Sequence, residues 1–343
     1  MKTLVLTEYN HFEIQDWPEP EIGPEEVLVR VRACGICGSD VHGMDGSTGR
    51  RQPPIVMGHE AAGVIARLGP GVRGWAEGDR VTFDSTVYCG HCWFCRRGDI
   101  NLCDNRRVLG VSCNDYRRHG AFAEYVAVPQ HILYRVPDAV RFEHAAMVEP
   151  LSIALHAVHR TLIMLDDTAV VVGAGMIGLL AVQALRAAGC GRIIAVDLDE
   201  RRLDLACRVG ADEALRPDAA DVRAVVLERT AGRGADIALE AVGFSPTVQL
   251  AAACLRKGGQ LTLIGNLAPS VEFPLQAVVT REITVLGSCA SRGDYPACLD
   301  LLARGAIDLE PLLSAVAPLD EGPTWFERLH AGKEGLMKVV LVP

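Results

Sequence analysis

Three donors of three different kinds lie close together near the start of the chain. Cys37 is separated by about one loop from His59 and Glu60. A thiolate, an imidazole and a carboxylate form the donor set of a zinc ion that keeps one position open. Sulfur and neutral imidazole suit borderline-soft zinc, and a carboxylate oxygen adds charge without closing the shell. Glu60 reads either as the third ligand or as a carboxylate beside the metal histidine. Ser39 and His42 flank Cys37 and are placed to carry a proton away from whatever the metal binds.

A second thiol set has a different meaning. Cys89, Cys92, Cys95 and Cys103 follow a C-x2-C-x2-C-x7-C pattern. That spacing matches a closed four-thiolate zinc site, which staples a loop and leaves no position for substrate. Cys34 and Cys37 form a C-x-x-C, but no thioredoxin-like βαβ context of a redox dithiol surrounds them. Cys34, Cys113, Cys190, Cys207, Cys254, Cys289 and Cys298 read as small apolar residues.

A third motif is built for a dinucleotide. Gly173-Ala-Gly175-Met-Ile-Gly178 follows an apolar strand pattern at 168–172 and opens a helix through Ala188. Gly173 allows the tight turn, Gly175 lets backbone approach a pyrophosphate, and Gly178 permits close helix–strand packing. The phosphates then meet the unpaired N–H groups of Met176 and Ile177 at the helix N-terminus. Asp197 lies 19 residues after Gly178, at the end of the next strand. It is placed to accept hydrogen bonds from the adenosine ribose, and its charge opposes a 2′-phosphate, so NAD is favoured over NADP. Arg201 and Arg202 temper that preference, since a nearby arginine can hold a 2′-phosphate.

Two segments must carry these groups. The first is β-rich: 27–33 alternates, with Val27, Val29, Val31 and Ala33 on one face and Arg30 and Arg32 on the other, and short strands are predicted at 62–68, 80–83 and 123–128. From Leu151 helices alternate with apolar strands at 168–172, 192–196, 235–239, 260–264 and 283–286, the pattern of a parallel sheet. Helices are predicted at 219–229 and 246–255. The stretch 336–342 reads as a strand that returns to the first domain. With 343 residues, 49% of them hydrophobic, the chain fits two domains with substantial cores. A net charge of −9 argues against nucleic acid as a partner. No signal peptide or membrane span is read, and twelve cysteines without a secretion signal point to the cytoplasm.

These motifs together resemble the zinc-containing medium-chain dehydrogenase/reductase superfamily, and within it the sorbitol (polyol) dehydrogenases. The residues that carry the resemblance are Cys37-Gly-Ser39-Asp40 with His42, Gly58-His59-Glu60, the four-cysteine lobe, Glu149-Pro150-Leu151, the glycine loop and Asp197. It implies a GroES-like β-barrel catalytic domain over 1–150, an inserted Rossmann NAD-binding domain over 151–288, and a return to the catalytic domain over 289–343. It also implies two zinc ions per chain, NAD, a small-molecule alcohol substrate and a homodimer or homotetramer.

Site roles follow from the same resemblance. Cys37 and His59 would ligate the catalytic zinc, with Glu60 as third ligand or exchanging with water. Glu149 would bind the metal or its water, and Asp40 would accept a hydrogen bond from His59. Arg202 would support the ribose, and Ile264 and Ser288 would flank the nicotinamide. Gly43 stands where the sorbitol enzymes carry a bulky aromatic residue, which suggests a wider pocket.

The activity implied is hydride transfer from a secondary alcohol to NAD. Another branch of the superfamily, such as a threonine dehydrogenase, a zinc-free quinone reductase, or a non-catalytic NAD-binding zinc redox sensor are the rival readings. Arg50, Arg51, Arg117 and Arg118 read as solvated surface charge or as a grip for a carboxylate or phosphate on the substrate. His156 and His159, on a predicted helix after Glu149, read as packed or surface groups.

Overall fold

The computed structural model describes residues 1–113, 116–332 and 334–343, with the backbone alone at Cys113. The chain separates into two compact units. Met1–Glu149, Tyr295–Arg304 and Leu312–Pro343 form the first, and Pro150–Asp294 with Gly305–Pro311 form the second. The chain thus leaves the second unit after Asp294, not after 288, and revisits it briefly at Gly305–Pro311.

The first unit is organised around strand Glu26–Gly35. Val27, Val29, Val31 and Ala33 are buried while Arg30 and Arg32 are exposed. A slip of one residue would drive both guanidinium groups into the core, so the register is strongly specified. Glu60–Leu68 pairs along its whole length. Its other edge is shared by Tyr125–Pro129 and by the C-terminal strand Lys338–Val342, which places Val340 opposite Gly35. Arg80–Phe83, Leu133–Arg135 and Leu313–Pro318 complete a seven-stranded sheet. Leu4, Leu6, Ile55, Phe83, Phe122 and Phe326 fill its core, each such side chain contributing about 1.5–3 kcal/mol by burial.

The second unit is a parallel sheet. In spatial order its strands are Glu213–Leu215, Arg192–Val196, Thr168–Val172, Ala235–Glu240, Leu255–Leu263 and Thr284–Gly287. Every pairing is parallel and the central strand Thr168–Val172 is buried throughout. Numbered along the chain, the order is 3-2-1-4-5-6, the doubly wound arrangement. The strand predicted at 260–264 begins earlier, at Leu255. The edge strand Glu213–Leu215 was not anticipated, because three half-buried residues leave no apolar run to read. Helices Val222–Arg229 and Ser245–Cys254 occur where the sequence places them.

Candidate metal and cofactor sites

Strand pairing assembles the metal donors. In the antiparallel register Gly35 lies opposite Glu60 and Cys34 opposite Ala61. Cys37 follows the first of these strands and His59 immediately precedes the second, so pairing brings both loop ends together. Cys37 is the N-cap of helix Gly38–Gly43, its sulfur accepting from Ser39 N–H at 3.5 Å and from Ser39 Oγ at 3.3 Å. One ligand atom each from Cys37, His59 and Glu60 lie within 4.8 Å of one another, a spacing a single ion can bridge.

The surroundings of this trio fit a cation. Glu60 Oε2 accepts from Lys338 Nζ at 2.6 Å, whereas its Oε1 is buried with no hydrogen-bond partner among the described residues. Asp40 is fully buried and its Oδ2 lies 3.4 Å from His59 Nδ1, which leaves Nε2 as the ligating nitrogen. Burial pushes the His59 imidazole toward neutrality, but Asp40 and Cys37 outweigh it and raise its pKa. Burial likewise opposes charge on Asp40, and His59 and Arg51 reverse it, holding the carboxyl well below the usual range. An orphaned carboxylate oxygen beside a thiol and an imidazole suits zinc.

Glu149 lies in helix Val148–Arg160, buried, and accepts from Ser85 Oγ at 3.1 Å. Burial raises its pKa, His59 opposes the rise and Glu60 adds to it. It does not come within 4.8 Å of all three donors. Asp84, one residue before Ser85, is pushed up to about 7 by burial, partly offset by Thr86 N–H and reinforced by Glu149. Ser39 and His42 are exposed on helix Gly38–Gly43, three positions apart and so on one face.

The four remaining metal candidates also converge. Ligand atoms of Cys89, Cys92, Cys95 and Cys103 lie within 4.8 Å of one another. Cys92 caps helix Trp93–Arg96, accepting from Cys95 N–H at 3.5 Å, and Cys89 N–H reaches Cys103 Sγ at 3.3 Å. The hydrogen bond from His91 N–H, against burial, brings the Cys89 thiol down to about 5, while burial and Cys92 push Cys95 up to about 12. Thiols this close cannot all ionise without a cation between them, and a four-sulfur cage fits zinc.

Several expectations change. Arg51 is no surface charge: it is buried against Asp40. Arg118 pairs with Glu26 at 2.5 Å and donates to the Ala127 carbonyl. Exposed Arg117 donates to the carbonyls of Pro54 and Gln52. At Gly43 the stem of Arg51 lies against the glycine, where a Cβ would come 2.8 Å from Arg51 Cγ. Cys34, Cys190, Cys254 and Cys298 are buried, but Cys207 and Cys289 are exposed and are not core residues; the side chain of Cys113 lies outside the described residues. Burial raises the Cys34 thiol well above its ordinary value, which removes it as a redox partner. His156 is packed and His159 lies on the surface, as read from the sequence, and both engage Asp294, at 3.2 and 2.7 Å.

In the second unit the dinucleotide residues gather at the carboxyl ends of the parallel strands, where doubly wound sheets bind ligands. Gly173 has φ +98°, a conformation side chains disfavour, and a Cβ there would meet Val242 Cγ2 at 2.5 Å. A Cβ at Gly178 would overlap the Gly173 carbonyl oxygen, while one at Gly175 would meet nothing. Gly175 caps helix Met176–Ala188 without a side-chain hydrogen bond, so the first-turn N–H groups of Met176 and Ile177 are left for an anion.

Asp197 accepts from Ala174 N–H at 2.7 Å and Asp199 N–H at 3.0 Å, and lies 3.8 Å from Arg202. Arg201 is taken up by Asp199. Ile264 and Ser288 directly follow neighbouring strands, Ser288 N–H bonding the Leu263 carbonyl. Arg202 Nε and Ser288 Oγ are buried with no partner among the described residues, as expected of groups awaiting a polar ligand. Among the described residues no helix is long and apolar enough to cross a membrane.

Sequence reasoning missed Lys338 and the true place of Arg51. Lys338 was detectable as a lone cation opening an otherwise apolar strand, but its partner was not.

Comparison with known proteins gives the family. Residues 23–138 match the alcohol dehydrogenase GroES-like domain and residues 177–304 match the zinc-binding dehydrogenase family. A sorbitol dehydrogenase of Halalkalibacterium halodurans is 38% identical, covering 100% of this chain and 99% of that protein. An L-idonate 5-dehydrogenase of Vitis vinifera is 35% identical over 88% of this chain and 83% of its own. The crystal structure of a zinc-binding dehydrogenase of Sinorhizobium meliloti bound to NADP superposes with a TM-score of 0.92 at 34% identity, covering 100% of this chain and 99% of that one. The chain belongs to the zinc-dependent medium-chain dehydrogenase/reductase superfamily, the zinc-binding dehydrogenases with a GroES-like domain.

Proposed function

We propose that this chain oxidises a secondary alcohol of a polyol, a sugar alcohol or a related sugar acid or sugar phosphate, passing hydride to NAD. The observation that carries the reading is the convergence of one sulfur, one imidazole and one carboxylate within 4.8 Å. Full-length similarity to a sorbitol dehydrogenase supports the polyol class, and similarity to an idonate enzyme keeps sugar acids within it.

Cys37, His59 and Glu60 would hold the catalytic zinc and the four-cysteine lobe a structural one. When bound, zinc supplies Lewis acidity that lowers the pKa of an alcohol, and NAD supplies the hydride acceptor. Ser39 Oγ accepts the alcohol proton as it gives up its own toward His42, on the same helix face, which passes a proton to solvent. Glu149, steadied by Ser85, lends a second carboxylate to the metal's surroundings. Met176 and Ile177 N–H groups receive the pyrophosphate, and Asp197 with Arg202 the adenosine ribose. Arg201 is held by Asp199, which leaves Arg202 as the arginine beside Asp197, whose charge supports NAD over NADP. The first unit is assigned the catalytic role and the second dinucleotide binding. The unbridged buried thiols Cys34, Cys190 and Cys254 support a cytoplasmic protein, and the family habit supports a homodimer or homotetramer.

The test is NAD⁺ reduction across alditols, aldonates, sugar phosphates, diols and amino alcohols, with and without chelator. Chelator-sensitive reduction with a polyol is the expected result. Activity confined to amino alcohols would move the chain to another branch, and no reduction with any alcohol would end the reading.

A further inference from the structure

Arg51 is a guanidinium almost without water, 4% exposed. Its Nε and Nη2 both donate to Asp40 Oδ1, at 3.2 and 2.8 Å, and its Nη1 donates to the Arg50 carbonyl at 3.1 Å. Two donors on one carboxylate oxygen set the rotation of that carboxylate, and the other oxygen, Oδ2, is the one 3.4 Å from His59 Nδ1.

The fold makes room for this arrangement. A Cβ at Gly43 would come 2.8 Å from Arg51 Cγ and 3.3 Å from Thr48 Oγ1, so a side chain there would displace the arginine. The loop is pinned from outside as well. Ser112 Oγ accepts from Gln52 N–H at 2.7 Å and donates to the Gln52 carbonyl at 2.8 Å, and Arg51 bridges Ser112 backbone to backbone. A charge meant for solvent needs none of this.

We propose that Arg51 is a positioning residue of the catalytic metal centre: through Asp40 it orients His59 so that Nε2 is presented beside Cys37 and Glu60, with Gly43 as the gap that admits its stem. The proposal rests on reading those three residues as zinc ligands. Removing the guanidinium leaves a buried carboxylate with no fixed rotation, and outer partners of this kind commonly govern metal retention about ten- to a hundredfold. A lysine offers a point charge in place of the fork and replaces it only in part.

The experiment measures zinc per chain during graded chelator exposure for wild-type holoenzyme, Arg51→Ala, Arg51→Lys, Gly43→Ala and the Gly43→Ala/Arg51→Ala double variant. The four-cysteine zinc serves as an internal control for the fold. Wild type should carry two equivalents; fewer than two would refute the ligand assignment itself, a failure separate from that of Arg51. In Arg51→Ala one equivalent should leave about tenfold faster or more while the other leaves at the wild-type rate, and added guanidinium should slow the loss again. Arg51→Lys should fall between. Gly43→Ala should hasten loss of the same equivalent alone, but add nothing in the Arg51→Ala background. Wild-type retention of both equivalents in folded Arg51→Ala, or equal acceleration of both, overturns the proposal. Should Arg51→Ala fail to accumulate folded, Gly43→Ala decides, with wild-type retention again overturning it.

Discussion

Lys338 and Glu60 are 278 residues apart in sequence, and their side chains meet at 2.6 Å with both almost wholly buried. Two strand registers produce the contact: Val340 lies opposite Gly35, and Gly35 opposite Glu60. Gly35 matters because a Cβ there would overlap Glu60 Oε2. Burial works against the charge on Lys338, but Glu60 and Cys37 outweigh it and raise its pKa. Lys338→Met should therefore leave a buried carboxylate uncompensated and cost about 3–5 kcal/mol in urea unfolding of metal-stripped protein. With zinc present the cation replaces the lost charge, so the loss should be smaller; equal losses with and without zinc would contradict this.

Ser39→Ala should lower turnover about a hundredfold or more, the range general acid–base groups contribute. Zinc content should stay at two per chain, because Ser39 touches the Cys37 sulfur without being a ligand. Steady-state rates beside metal analysis decide it, and wild-type turnover would remove the proton relay.

Asp197→Asn keeps one acceptor oxygen and loses the charge. The kcat/KM for NAD should fall about tenfold or more and that for NADP should rise, since hydrogen bonds to a charged group contribute about 1.5–3 kcal/mol. Thermal unfolding is followed in parallel, because Asp197 also accepts from Ala174 and Asp199. An unchanged ratio between the two cofactors would place cofactor choice elsewhere.

The pairing of His159 with Asp294 predicts a pH-dependent stability. The hydrogen bond that His159 Nδ1 donates to Asp294 raises the His159 pKa against the effect of burial. A raised histidine stabilises fully below its unfolded value, about 6.5, and that contribution is lost as pH rises through the folded value. His159→Gln should therefore destabilise at pH 5.5 and matter least at pH 9, by urea midpoints. A constant difference across that range would mean the pair contributes no charge-dependent stability.

What was legible in the sequence was local. Cys37 with His59 and Glu60, the four cysteines, and the glycine loop with Asp197 carry their chemistry in short spacings, and each group converges in the fold. What was hidden depends on register between distant strands or on how a loop folds over. Lys338 could not be matched to Glu60 without knowing that the last strand joins the first sheet beside Gly35. Arg51 read as a surface charge because four arginines in two loops look alike, and only the buried carboxylate of Asp40 separates it from Arg50. The contact of Gly43 with the stem of Arg51 was hidden for the same reason, since that arginine comes from outside the helix of Gly43.

The central claim is tested most directly by measuring zinc per chain and polyol-dependent NAD⁺ reduction together in wild type and Cys37→Ser. The account predicts two zinc equivalents and activity in wild type, and one equivalent with no measurable reduction in the variant. A Cys37→Ser protein that reduces NAD⁺ at the wild-type rate would contradict it.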